Sequence, residues 1–196
     1  MASAERDALF RVLDALETLE IPYMVVGSFA STFWGRPRTT HDADLVVQIP
    51  QGKGRELARL LAPDFYAPEF VIEEAVIKRD QFNVIHREQA FKVDLWLLKD
   101  VAYDRERFRR RLLGLLFDRE VWITSPEDVI LSKLQWYQMA SGSDRQLQDV
   151  LEVYEIQESF LEHDYLDLWA RSLGLLGLLE QVRQRAARPP EAPKQG

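Results

Sequence analysis

Three aspartates are the residues of this sequence whose types and spacing best suit chemistry. Asp42 and Asp44 open a run of Leu, Val and Ile, and alternate residues of a strand point to one face, so their carboxylates meet. Two like charges at one spot are unfavourable unless a cation neutralises them. Asp94 is likewise flanked by valine, leucine and tryptophan. If its strand neighbours that of Asp42, the three carboxylates form an oxygen-only ligand set that suits two Mg²⁺ or Mn²⁺ ions about 4 Å apart. The alternative is that Asp94 pairs with Lys92 or with an arginine.

A second pattern suits the binding of a phosphate. Gly27 and Ser28 stand between an apolar strand pattern and a short helical pattern. The start of a helix offers free backbone N–H groups and the positive end of the helix dipole, and a glycine lets a ligand approach the backbone closely. Together with metal-bridged phosphates, these donors would make a triphosphate site. The simpler alternative is an ordinary helix cap and turn.

The elements that must position these residues follow from the hydrophobic periodicity. Apolar segments with strand character predict strands at 21–26, 42–49, 82–87, 91–98 and 121–123, and residues 87–90 form a hairpin turn between the third and fourth of them. Helical spacing and start signals predict helices over 4–19, 29–34, 53–61, 104–112, 126–140, 143–157, 164–172 and 175–187. Ser28 is the predicted N-cap of the second helix.

This order of elements predicts an α+β fold. A small mixed β-sheet with flanking helices occupies residues 1–124, and a helical lobe follows over 125–187. Residues 188–196 contain proline and no apolar pattern, so a disordered tail is expected there.

Composition and charge limit the partners. The 196 residues include 25 Lys and Arg against 32 Asp and Glu, a net charge of −7, which disfavours a general nucleic-acid surface. The segment at 105–111 holds five arginines, and it either guides an RNA acceptor or forms a solvated helix face. There is no cysteine, no apolar run long enough for a membrane helix, and the acidic, amphipathic N-terminus differs from a secretory signal. A cytoplasmic protein without a membrane partner is expected.

The motifs together resemble a known group of enzymes. Gly27-Ser28, the segment Gly35-Arg36-Pro37-Arg38-Thr39-Thr40-His41-Asp42-Ala43-Asp44 and the later Asp94 resemble the DNA polymerase β-type nucleotidyltransferase superfamily. Within it, the chain is similar to the AbiEii/MenT-like toxin nucleotidyltransferases of bacterial toxin–antitoxin systems. The segments 125–134 and 144–149 add to this resemblance, which covers about residues 20–155.

The resemblance implies a role for each aspartate. Asp42 and Asp44 would hold both metal ions. Asp94 would complete the catalytic metal site and help to deprotonate the acceptor hydroxyl.

The resemblance also implies a set of nucleotide-binding residues. Gly27 and Ser28 would bind the β- and γ-phosphates, and Lys133 would neutralise charge on the leaving pyrophosphate. Asp149 would orient Lys133 or the acceptor. Arg38 would either contact phosphate or support its loop.

The function expected from this resemblance is transfer of a nucleotide from an NTP to a hydroxyl, with release of pyrophosphate. The acceptor would be RNA, such as a tRNA end, or a protein, and a cognate antitoxin would be a partner. Two alternatives stay open: a nucleotide-binding regulatory module without turnover, and phosphoryl transfer at the same site.

Overall fold

A computed structural model describes residues 3–140 and 144–187. They form two compact units. The first holds the described residues up to Phe33 together with Pro37–Ser125, and the second holds Trp34–Arg36 together with the described residues from Pro126 onward. The tail predicted at 188–196 lies outside the described residues.

The first unit is built on a mixed β-sheet, as the sequence predicts. In the described residues it has seven strands: β1 Tyr23–Val26, β2 Asp42–Val47, β3 Phe65–Tyr66, β4 Gln81–His86, β5 Lys92–Leu97, β6 Leu112–Leu116 and β7 Arg119–Ile123. Their order is β3-β4-β5-β2-β1-β7-β6. The pairs β2–β5 and β1–β7 are parallel, and the other neighbours are antiparallel.

Helices occur in both units. Those that begin in the first unit are α1 Ser3–Thr18, α2 Gly27–Trp34, α3 Lys53–Leu61, α4 Glu69–Lys78 and α5 Ala102–Arg109. Those of the second are α6 Pro126–Met139, α7 Asp144–Gln157, α8 His163–Ser172 and α9 Leu176–Ala186, with a 3₁₀ turn at Glu158–Phe160. Within the described ranges, no helix combines the length and apolar character that a membrane crossing requires.

The central strands are apolar because both faces of the sheet are covered there. Leu45 and Leu95 are fully buried, and on the other face Met24 and Val46 pack against Phe108 of α5. The first half of β2 differs, because half-buried Asp42 and Asp44 alternate with buried Ala43. The polar end of β2 is therefore an open place in a sheet that is otherwise well covered.

Two parts of the first unit differ from the sequence prediction. The helix predicted over 104–112 ends at Arg109, because Leu112–Leu116 pairs with β7 as a hairpin. Phe117 and Asp118 form its two-residue loop with φ angles of 48° and 64°, the left-handed values that this tight turn requires. The sequence prediction also lacks α4 and β3.

Buried acids link the first turn of α6 to α8 in the second unit. The hydroxyl of Tyr165 donates to Asp128 Oδ1 at 2.8 Å, and the backbone N–H of Glu162 donates to Glu127 Oε1 at 3.0 Å. These bonds satisfy carboxylates that would be costly to bury unpaired. The start of α6 at Pro126 agrees with the predicted helix start.

Candidate active site

Asp42 and Asp44 lie on one face at the beginning of β2. Thr40 Oγ1 donates to Asp42 Oδ1 at 2.9 Å, and the indole N–H of Trp96 reaches Asp44 Oδ1 at 3.4 Å. Ala43, between them, points into the covered side of the sheet and is fully buried. The strand thus presents two carboxylates to one side, as the sequence predicts.

The parallel pairing of β2 and β5 brings the third aspartate to the same place. Asp44 and Asp94 are direct register partners, so their side chains leave the sheet on the same face. Asp94 is only 6% exposed, whereas Asn83, its partner on β4, is exposed. The condition set by the sequence, that the strand of Asp94 neighbours that of Asp42, is met.

Lys92 also belongs to this cluster, although the sequence analysis considers it only as an alternative ion-pair partner of Asp94. Its Nζ lies 2.7 Å from Asp94 Oδ2, and Lys92 is the register partner of Asp42. The hydrogen bond to Asp94 raises the pKa of Lys92, and the charges of Asp42 and Asp44 raise it further. The signal in the sequence is its position two residues before Asp94, which places both side chains on one face.

Gly27 packs directly against Asp44, and no larger residue fits. Its φ is +61°, and a Cβ atom at this position would lie 2.1 Å from Asp44 Oδ2. Gly27 directly follows β1, whose last residue Val26 is the register partner of Asp44. The start of α2 therefore lies against the carboxylates, where the sequence expected a phosphate-binding turn.

Ser28 lies in the first turn of α2, which begins at Gly27, so the predicted helix start at Phe29 is late by two residues. Arg38 Nη2 donates to Ser28 Oγ at 2.7 Å. This bond places the guanidinium of Arg38 at the N-terminal turn of α2. A cation and a helix N-terminus in contact are suited to an anion.

The donor set of the first unit fits a hard divalent cation. Asp94 Oδ1 is buried and has no hydrogen-bond partner among the described residues, and such an atom is costly unless something binds it. Carboxylate oxygens are also the ligands that Mg²⁺ and Mn²⁺ prefer. In the described part of the chain, no three acidic or histidine side chains are arranged so that they could hold a metal ion without moving. Lys92 holds Asp94 Oδ2 instead.

Lys133 and Asp149 belong to the second unit, where they form a buried pair. Lys133 Nζ lies 2.7 Å from Asp149 Oδ2, and their side chains are 7% and 4% exposed. The pair joins α6 to α7, which makes it a structural contact within this unit. A contact of Lys133 with a nucleotide stays a prediction.

Three of the five arginines at 105–111 form ion pairs inside the first unit. Arg105 pairs with Asp100 at 2.5 Å and Arg107 with Asp104 at 2.7 Å. Arg109 and Glu106 form a further ion pair, and Arg111 stacks on the rings of Phe108 and Trp122. These contacts favour the solvated, self-paired helix face over the RNA guide that the sequence left open.

Solved structures with similar folds carry nucleotidyltransferase names. The solution structure of the antibiotic-resistance factor ANT(2'')-Ia has a TM-score of 0.56 and 14% identity, covering 94% of this chain and 100% of that one. An antigenic nucleotidyltransferase-like protein from Paracoccidioides brasiliensis has a TM-score of 0.54 and 17% identity, covering 94% of each chain. The lincomycin-bound lincosamide antibiotic adenylyltransferase LnuA has a TM-score of 0.51 and 14% identity, covering 76% and 96%.

The chain has the nucleotidyltransferase fold. At these identities the likeness concerns the fold alone. No protein-family model matches the chain, and no curated protein sequence matches it.

Proposed function

We propose that this chain is a metal-dependent nucleotidyltransferase, which transfers a nucleotide from an NTP to a hydroxyl acceptor and releases pyrophosphate. The observation that supports this most strongly is the register of β2 and β5, which pairs Asp44 with Asp94 at the open end of the sheet. Gly27, packed against Asp44, brings the start of α2 next to these carboxylates. Both features occur within a nucleotidyltransferase fold.

The three aspartates would hold one or two divalent ions. Such ions, when bound, neutralise phosphate charge and make the acceptor hydroxyl more acidic. Asp42 and Asp44 would hold the nucleotide side, and Asp94 would complete the site. The buried Asp94 Oδ1, with no hydrogen-bond partner among the described residues, supports its use as the acceptor of the hydroxyl proton.

In the proposed reaction, the hydroxyl oxygen bonds to the α-phosphorus while the bond from that phosphorus to the bridging oxygen breaks. The hydroxyl proton passes to Asp94, and pyrophosphate leaves with the electron pair of the broken bond. Ser28 and Arg38, already joined at 2.7 Å, would bind the β- and γ-phosphates together with the N–H groups of α2. We also propose that Lys133, oriented by Asp149, approaches the leaving pyrophosphate.

The acceptor class is the second part of the proposal. The resemblance of the motifs to toxin nucleotidyltransferases supports an RNA end or a protein, and with it a cognate antitoxin. The structural neighbours support a small hydroxylated molecule, since one is solved lincomycin-bound and another in complex with adenylyl-2''-tobramycin. The net charge of −7 and the ion pairs of Arg105, Arg107 and Arg109 favour the small molecule over RNA.

The test is transfer of label from each of the four NTPs labelled at the α-phosphate, with Mg²⁺, to three acceptors. These acceptors are total bacterial RNA, a mixture of tobramycin and lincomycin, and the protein itself. Label in one of them identifies the acceptor class and the base together. Label on a small molecule would refute the hypothesis of a toxin that modifies RNA or protein. Label on RNA would refute the hypothesis of a small-molecule acceptor.

The control variants separate turnover from binding. Asp44→Asn is expected to abolish transfer with the fold intact, whereas Asp7→Asn, an exposed aspartate paired with neighbouring Arg6, should keep full activity. Transfer retained in Asp44→Asn would refute the site. Transfer seen only from γ-labelled NTP would indicate a phosphotransferase. A rise in melting temperature with NTP but no transfer from either label would indicate a binding module.

A further inference from the structure

The edge strand β6 is apolar and exposed. Its sequence is Leu-Leu-Gly-Leu-Leu, and among the described strands it pairs with β7 alone. Leu113 is 53% exposed and Leu115 is 62% exposed, with Trp122 of β7 at 40% on the same face. Exposed edge strands usually carry charged residues or proline that block pairing with another chain, and β6 carries neither.

The hairpin turn determines which backbone groups of β6 point outward. Leu116 and Arg119 close a two-residue loop, so they exchange both backbone hydrogen bonds, and the same holds for every second pair along the hairpin. Gly114 therefore bonds to Val121. The N–H and C=O groups of Leu113 and Leu115 consequently face the open edge.

We infer that β6 pairs antiparallel with β6 of a second copy of this chain, forming a symmetric dimer. A two-fold axis at Gly114 places Leu113 opposite Leu115 of the other copy, and both have outward backbone groups. In this register Leu113 of each copy exchanges backbone hydrogen bonds with Leu115 of the other copy. The four leucine side chains then lie together on one face of the sheet, next to Trp122. The two sheets then become one continuous sheet.

The charges around β6 favour this register. Arg110 and Arg111 directly precede the strand, whereas Asp118 lies in its turn and Glu120 in β7. Arg119, between these two acids, is paired with Asp14 and Glu17 of α1. An antiparallel pair centred on Gly114 brings position 110 of one copy opposite position 118 of the other. Each basic end thus meets an acidic end, while a parallel pair would bring like charges together.

The two sides of β6 also differ in cover. A Cβ atom at Gly114 would lie 2.8 Å from the ring of Phe33, so α2 already packs on that side. The side of Leu113 and Leu115 has no such cover, since both are more than half exposed. A second copy would bury the leucine side and the backbone edge in one step, and this does not depend on nucleotide transfer.

The first test measures the mass of the full chain by sedimentation equilibrium over the micromolar range. The expected species is twice 22.8 kDa. Leu115→Pro removes an N–H group that faces the open edge of the sheet and has no partner among the described strands of the monomer, so the fold is kept. The dissociation constant of the dimer is expected to rise by about tenfold or more. Leu168→Lys is the matched control, because Leu168 is 63% exposed on α8, and it should leave the dimer unchanged.

The second test checks the register with single cysteines, since the chain has none of its own. Leu113→Cys mixed with Leu115→Cys is expected to form an intermolecular disulfide under mild oxidation, because directly opposed residues have Cα atoms about 5.5 Å apart. Each variant alone places its cysteines diagonally, about 7–8 Å apart, and should form much less. A monomer at every concentration would overturn the inference. A dimer that Leu115→Pro leaves unchanged, or equal cross-linking in the single variants and the mixture, would overturn it as well.

Discussion

Replacing Gly27 by alanine tests the site through a single added carbon. The new Cβ would lie 2.1 Å from Oδ2, 2.7 Å from Cγ and 2.8 Å from Cβ of Asp44. Because the whole carboxylate group is too close, rotation of the Asp44 side chain does not relieve the contact. To restore ordinary contact at 3.4 Å, Oδ2 must withdraw by roughly 1.3 Å, and misplacing a catalytic group by about 1 Å costs on the order of 100-fold in rate.

The alanine also brings a backbone cost that controls can separate. An alanine in the left-handed region loses about 1–2 kcal/mol relative to glycine. Gly52 and Gly174 have φ angles of +89° and +72°, but a Cβ at either position meets nothing within 4 Å. Gly52→Ala and Gly174→Ala should therefore lose similar free energy of unfolding and keep their activity.

The assay is transfer of α-labelled nucleotide to the acceptor found above, together with Mn²⁺ affinity by calorimetry and thermal melting. We expect Gly27→Ala to lose about 100-fold in rate and to bind Mn²⁺ more weakly. The reasoning is refuted if a folded Gly27→Ala protein keeps both its transfer rate and its Mn²⁺ affinity within a few-fold of wild type. Equal losses in all three glycine variants would refute it too, since backbone strain alone would then explain them.

Three further predictions concern charged and polar contacts elsewhere. Lys92→Met removes the ammonium from Asp94, so Mn²⁺ should raise the melting temperature more than in wild type; an equal rise would contradict competition between ammonium and metal. Lys133→Met removes the ammonium that buried Asp149 contacts, and we expect a loss of about 3–5 kcal/mol in urea unfolding, largely recovered when Asp149→Leu is added. A double variant as unstable as the single one would refute this. Burial raises the pKa of Tyr23 above its usual 10.0, so the folded state keeps this proton and stability falls as pH rises beyond that value. In thermal melts Tyr23→Phe should lose stability less steeply at alkaline pH, and an unchanged slope would exclude this cause.

Strand β6 and the contact of Arg38 with Ser28 could not be predicted from the sequence, because both depend on distant parts of the chain. The helix predicted over 104–112, favoured by the local arginine-rich sequence, includes Leu112, the first residue of β6, and the sequence predicts no element for the rest of that strand. Pairing with β7 overrides that preference through backbone hydrogen bonds and the tight turn at Phe117 and Asp118. The contact of Arg38 with Ser28 spans ten residues and a loop, and no local pattern predicts it.

Local sequence is enough to predict two features of the site. The alternation that puts Asp42 and Asp44 on one face, and the glycine before a helix start, follow from strand and helix geometry within a few residues. The position of Asp94 beside Asp44 cannot be predicted locally, because it depends on the parallel pairing of strands about fifty residues apart in the folded chain. The same pairing placed Lys92 in the cluster, and side-chain packing placed Gly27 against Asp44. Residue types thus select the chemistry, and long-range strand register determines whether its groups meet.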